Sequence, residues 1–105
     1  MTFETMNEVW GRSCNPWNPH RTSGGSSGGE SGLIASYSSP LGLGSDIGGS
    51  IRIPSEFCGI FSIKPTSCRL SSGYHSHFTD AFSGCSKGVP LIIGPLGRCV
   101  NDLAL

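Results

Sequence analysis

Two Gly-Gly-Ser triplets constrain this 105-residue chain more than any other feature. They are Gly24-Gly25-Ser26 and Gly48-Gly49-Ser50, with their serines 24 positions apart. Consecutive glycines weaken helix interiors and strand interiors alike, so each triplet predicts a loop. A serine beside glycines has two chemical uses. A substrate carbonyl can come close to the bare backbone, and successive N–H groups can converge on an oxyanion. The hydroxyl is unreactive at its own pKa and needs a base within hydrogen-bond reach. One such triplet carries little weight, because linkers and turns contain it too.

The linker reading fails on composition. Glycine (16), proline (7) and serine (18) are abundant, but charged residues are only 13%. Disordered chains carry more charge and fewer apolar residues. Here the small residues alternate with apolar clusters at Leu33-Ile34-Ala35, Leu41-Gly42-Leu43, Phe57-Cys58-Gly59-Ile60-Phe61 and Leu91-Ile92-Ile93. That pattern predicts a folded, glycine-lined site.

Periodicity is faint before residue 14. Asn15-Pro16-Trp17-Asn18-Pro19 predicts a turn or extended segment, since each proline biases its predecessor away from helix. Leu33, Ile34 and Tyr37 at helical spacing predict a short helix over 30–38, and Leu41-Gly42-Leu43-Gly44 a buried strand. Ser45 to Ser50 is the second loop. Ile51-Arg52-Ile53 alternates as a strand that Pro54 ends, with a helical turn opening at Pro54. Phe61-Ser62-Ile63-Lys64 and Leu91-Ile92-Ile93 predict strands, residues 71–87 an irregular loop, and Gly94-Pro95 a turn. Val100, Leu103 and Ala104 begin a helical pattern that stops at Leu105 without a cap, which is expected of a fragment.

Several classes are excluded or disfavoured. Seven basic residues balance seven acidic ones without any run of like charge, so nucleic acid is not an expected partner. No apolar stretch reaches the roughly 20 residues of a membrane span. The segment Met1–Trp10 lacks the apolar region of a secretory leader. Five cysteines (Cys14, Cys58, Cys68, Cys85, Cys99) form no C-x-x-C pair, and Cys68, His75, His77 and Cys85 match no ligand template, so no metal is expected. Unlinked thiols point to an intracellular rather than a secreted setting.

Gly24-Gly25-Ser26-Ser27-Gly28 also satisfies G-x-S-x-G, the nucleophile elbow of α/β-hydrolases, and Asp46 with His75 or His77 follows in the right order. That reading is rejected. The elbow follows a buried apolar strand, and Pro19-His20-Arg21-Thr22-Ser23 is not one; the remaining residues cannot hold a doubly wound core; and no HGGG-type segment precedes Ser26.

Taken jointly, the two loops are far more specific. Gly24-Gly25-Ser26-Ser27-Gly28-Gly29-Glu30, followed by Pro40-Leu41-Gly42-Leu43-Gly44-Ser45-Asp46-Ile47-Gly48-Gly49-Ser50-Ile51-Arg52-Ile53-Pro54, resembles the signature of the amidase signature family. Phe57-Cys58-Gly59-Ile60 and Ile63-Lys64-Pro65-Thr66 continue it. The flanks Asn15-Pro16-Trp17, Arg69-Leu70-Ser71 and Gly94-Pro95-Leu96-Gly97-Arg98 are similar to its fatty-acid amide hydrolase branch. The resemblance implies one partial α/β domain over residues 1–105, with the signature at about 22–66. Its fold is a mixed central sheet flanked by helices, here incomplete. It also implies a Ser–cis-Ser–Lys triad without cofactor. Ser50 corresponds to the nucleophile and Ser26 to the bridging serine, while Ile47, Gly48, Gly49 and Ser50 supply oxyanion-hole N–H groups. Ser27 is expected to support the bridge, and Asp46 and Arg52 to brace the second loop. The implied substrate is a small-molecule amide, fatty or otherwise hydrophobic.

The family's base lysine lies upstream of the first serine loop, whereas this sequence has only Lys64 and Lys87, both downstream. The isolated chain is therefore expected to be inactive. Membrane association, if the parent has it, is not encoded here. Two other readings stay open: an amidase acting on small amides or on glutamine for an amidotransferase, and a non-catalytic truncated product.

Overall fold

The computed structural model describes residues 2–67, 69–70 and 89–105. The expected loop at 71–87, together with Cys68, His75, His77, Cys85 and Lys87, lies outside the described residues. The faintly patterned start forms two antiparallel hairpins. β1 (Met6–Asn7) pairs with β2 (Gly11–Arg12), and β3 (Cys14–Asn15) with β4 (Asn18–Thr22). Asparagine side chains write the turns, as their short amides can. Asn7 Oδ1 accepts the Val9 and Trp10 N–H groups at 3.0 and 2.7 Å, and Asn15 Oδ1 accepts that of Trp17 at 2.9 Å.

The first helix, α1, spans Gly28–Ala35, earlier than the apolar spacing predicts. Its inward face is Gly28, Ser31, Ile34 and Ala35, a stripe of small residues around one isoleucine, while Leu33 and Tyr37 are exposed. Tyr37 lies past the end at φ 63°. The Ser38 and Tyr37 N–H groups donate back to the Leu33 and Ile34 carbonyls at 2.8 and 3.1 Å, the paired bonds of a Schellman ending.

Strand β5 (Leu41–Asp46) runs two residues beyond the predicted one. Helix α2 (Arg52–Cys58) replaces the predicted strand at Ile51-Arg52-Ile53. The alternation there is coincidental, because Ile51 is buried against the core while Arg52 turns back to Asp46. Pro54 falls inside the first turn, where a missing N–H breaks no intrahelical bond. Strands β6 (Phe61–Ser62) and β7 (Ile92–Gly97) complete a three-stranded antiparallel sheet of order β5-β7-β6. A 3-10 turn, Asp102–Ala104, closes the chain.

Gly94-Pro95 is not the expected turn but the middle of the central strand. Proline is tolerated because its ring nitrogen faces β6, where pairing is already ending. The Pro95 carbonyl still accepts the Ile63 N–H at 3.1 Å, and the Leu43–Pro95 pairing on the β5 side needs no proline donor. Ile34 of α1, Ile51 and Leu96 of β7 meet in a fully buried cluster with Ile60 packed on it. Each such side chain contributes about 1.5–3 kcal/mol by burial. Met6, Val9 and Trp10 on the first hairpin are exposed.

Candidate active site

Everything around Ser50 is organised by Asp46, the last residue of β5. Its side chain is fully buried and accepts N–H groups from Gly49 at 2.8 Å, Ile51 at 3.0 Å and Arg52 at 3.4 Å. The guanidinium of Arg52 adds two bonds, Nε at 3.1 Å and Nη2 at 3.0 Å. The donors at the start of α2 thus find their acceptor on the preceding strand rather than on a local cap. Burial pushes the Asp46 carboxyl upward, but the Arg52 pair and the backbone amides outweigh it and hold the group at about 2. The expected Asp46–Arg52 pair therefore exists, with Arg52 reaching in from the surface.

The other end of α2 is held by the second hairpin. Asn15 Nδ2 donates to the Phe57 carbonyl at 2.6 Å, and Trp17 Nε1 to that of Cys58 at 2.7 Å. These bonds satisfy last-turn carbonyls that have no intrahelical partner. The Asn15-Pro16-Trp17 segment is thus a helix cap rather than mere packing. Cys58 itself is a core thiol, its pKa raised by burial.

Ser50 stands between these anchors, almost fully buried. The two serine loops meet through the backbone: the Ser27 N–H donates to the Ser50 carbonyl at 3.1 Å. Ser27 Oγ also contacts the Ser45 N–H and carbonyl at 3.3 and 3.4 Å, joining the first loop to β5. Ser26 is exposed, follows a cis Gly25–Ser26 peptide, and lines a cavity of about 460 Å³ with Ser27, Glu30, Gly44, Ser45 and Ile93. Among the described residues the Ser26 and Ser50 hydroxyls share no hydrogen bond. Of the expected oxyanion donors, Gly49 has its amide committed to Asp46, while Ile47, Gly48 and Ser50 have amides without a hydrogen-bond acceptor among the described residues.

Sequence reasoning missed the segment that backs the first loop. Glu4 and Thr5 lie directly against it. A Cβ at Gly25 would collide with the Glu4 backbone, and one at Gly28 would sit 2.5 Å from Thr5 Oγ1. These two glycines are therefore required by close approach. Thr5 Oγ1 accepts the Gly28 N–H at 2.9 Å and faces the Gly24 and Ser26 carbonyls at 2.9 and 3.1 Å. Glu4 accepts the Thr22 hydroxyl at 2.9 Å, and that hydroxyl in turn accepts the Gly24 N–H at 2.9 Å. No spacing rule links residues 4 and 5 to a loop some twenty positions later.

Lys64 is exposed, with Nζ donating to the Pro65 carbonyl at 3.3 Å. No group of three or more metal-ligating side chains occurs among the described residues, and no helix among them is long and apolar enough to cross a membrane.

A strand ending in a capping aspartate, a serine at the start of the capped helix, and a second serine loop stitched to it define an α/β segment of amidase-signature type. The comparisons agree: the amidase family model matches residues 1–105, and the chain belongs to that family. It is 49% identical over 104 residues to fatty-acid amide hydrolase 1 of Sus scrofa, covering 99% of this chain and 17% of that protein. Among solved structures, a fatty acid amide hydrolase superimposes with a TM-score of 0.89 at 36% identity, over 99% of this chain and 18% of the other. A 6-aminohexanoate cyclic dimer hydrolase with substrate bound gives 0.84 at 38% identity, over 98% and 20%. The chain thus spans roughly a fifth of the length of the proteins it matches.

Proposed function

We propose that residues 1–105 are the nucleophile-bearing segment of a larger amidase domain, the parent domain below, which hydrolyses the amide bonds of hydrophobic acyl amides. The observation that supports it best is the Ser27–Ser50 backbone bond, which brings two sequence-distant serine loops together beside a capped helix. The hydrophobic acyl preference rests on similarity to fatty-acid amide hydrolase 1. In this reading a neutral lysine from another part of the parent domain takes the Ser26 proton as Ser26 takes that of Ser50. A base lysine must have its pKa lowered by burial or by neighbouring charge. Ser50 Oγ bonds to the substrate carbonyl carbon, and the amides of Ile47, Gly48 and Ser50 hold the oxyanion. One such donor is worth about 2.7–4 kcal/mol. The C–N bond then breaks as the proton passes back through Ser26 to the leaving amine, and water hydrolyses the acyl ester on Ser50.

Lys64 is solvated, and both Lys64 and Lys87 lie downstream of the serine loops rather than at the family's upstream base position, so the isolated 105-residue chain should show no hydrolysis. Treating the parent domain with a fluorophosphonate and mapping the adduct by mass spectrometry should place it on Ser50. An adduct on Ser26 would instead revive the elbow reading. Comparing kcat/KM for a long-chain primary amide, acetamide and glutamine tests substrate class, with the long-chain amide expected to lead.

A further inference from the structure

We infer that Thr5 is a positioning residue for the bridging serine, holding the Ser26 loop in register with Ser50. The inference rests on the hydrolase reading above and extends it to a residue outside both serine loops.

Thr5 lies against the loop, lining the same cavity as Ser26, and its hydroxyl is used on both sides. It accepts the N–H of Gly28, the first residue of α1, and has one proton for the carbonyl of Gly24 or of Ser26. One oxygen therefore ties together residues on both sides of the cis Gly25–Ser26 peptide. The backbone of Thr5 is itself fixed, because its carbonyl accepts the Ser13 N–H at 2.9 Å. A second observation points the same way. Gly25 and Gly28 are the positions where a Cβ would strike Glu4 and the Thr5 hydroxyl, so the loop's sequence is matched to this contact. Downstream, the Ser27 N–H on the Ser50 carbonyl passes the position of the first loop to the second. Removing the Thr5 hydroxyl releases the Gly28 N–H and the Gly24 and Ser26 carbonyls that share its proton, and so moves the bridging hydroxyl relative to Ser50 without altering either serine.

The test uses the parent domain with four variants, Thr5→Val, Thr5→Ser, Ser26→Ala and the double Thr5→Val/Ser26→Ala, read by steady-state kinetics and by fluorophosphonate labelling rate per folded molecule. A displacement on the order of 1 Å in a catalytic group costs about 100-fold in rate, so Thr5→Val should lower kcat by about 10- to 100-fold and leave KM within about threefold. Thr5→Ser keeps the hydroxyl and should stay within about threefold of wild type. In the Ser26→Ala background Thr5→Val should add almost nothing, since residues acting through one group are not additive. Equal losses in the Val and Ser variants, or a Thr5→Val effect that persists in full without the Ser26 hydroxyl, would overturn the inference and leave a packing role. If Thr5→Val does not accumulate as folded protein, Thr5→Ala takes its place in the same cycle. The hydrolase reading fails separately, if Ser50→Ala retains labelling and turnover.

Discussion

Replacing Ser50 by alanine in the parent domain will lower kcat for amide hydrolysis by about 10⁶-fold, the loss seen when a serine nucleophile is removed and only binding and oxyanion donors remain. Replacing Ser26 will cost less, about 10²–10⁴-fold, the usual share of a positioned proton-transfer group. The order follows from their roles. Ser50 forms the covalent bond, and nothing nearby substitutes for its oxygen. Ser26 only relays a proton, and it is exposed, so water can enter and relay poorly in its place. Neither change should disturb the fold. The Ser50 hydroxyl makes no hydrogen bond to any described residue, and what joins the loops is its carbonyl, which alanine keeps. Thermal unfolding within a few degrees of wild type, beside the kinetic loss, is the expected pair of results. Ser50→Ala activity within tenfold of wild type, or a deeper loss for Ser26→Ala than for Ser50→Ala, would sink the assignment of nucleophile and bridge.

How much of this was legible before the structure depends on the range of the interaction concerned. The strand at Leu41–Gly44 and the loops carrying Ser26 and Ser50 are legible, because glycine content and short apolar runs act locally, but the strand's expected burial is not met, since Leu41 and Leu43 are exposed. The Asp46–Arg52 pair was readable because six positions separate its members across one loop. Ile51-Arg52-Ile53 misled, since three alternating residues fit a strand and a capped helix start equally well. What decides between them is the Asp46 carboxylate five positions upstream, which accepts the Ile51 and Arg52 N–H groups at the helix start and which the alternation of three residues does not reveal. Gly94-Pro95 misled for a similar reason. A proline reads as a turn locally, yet the sheet needs no donor from it on either side. Thr5, Asn15 and Trp17 were opaque because their contacts span 19 to 42 positions and use backbone atoms as partners, which leave no mark on the partner's residue type. Gly25 and Gly28 are partial exceptions. Locally they are loop residues, although part of their meaning is the room they leave for Glu4 and Thr5.

Asp46→Asn should produce the second large effect, and its signature is pH. The carboxylate accepts three backbone N–H groups and the Arg52 guanidinium from within the core. Asparagine fits the space but offers one acceptor oxygen and turns an NH₂ toward a donor. Leaving the buried Gly49 or Ile51 amide without a partner costs about 1–3 kcal/mol each, so a total loss of about 3 kcal/mol is expected. Arg52 adds little to that loss, because half its side chain is already in water. The Ser50 loop would also lose its register, with kcat falling about 100-fold. The folded carboxyl titrates at about 2. An unfolded aspartate titrates near 3.9, so the folded value is depressed. The associated stability is therefore complete above the unfolded pKa and is lost as pH falls toward the folded one. A shift of this size is worth on the order of 2 kcal/mol, withdrawn between about pH 4 and pH 2. Urea unfolding of the parent domain and of Asp46→Asn across that window measures it directly. The gap between their midpoints should be full near about pH 5 and shrink steadily on acidification, because protonated aspartic acid and asparagine make similar bonds. A gap that does not change with pH would mean that the charge of Asp46 does not hold the helix start, and the brace around Ser50 would need another physical basis.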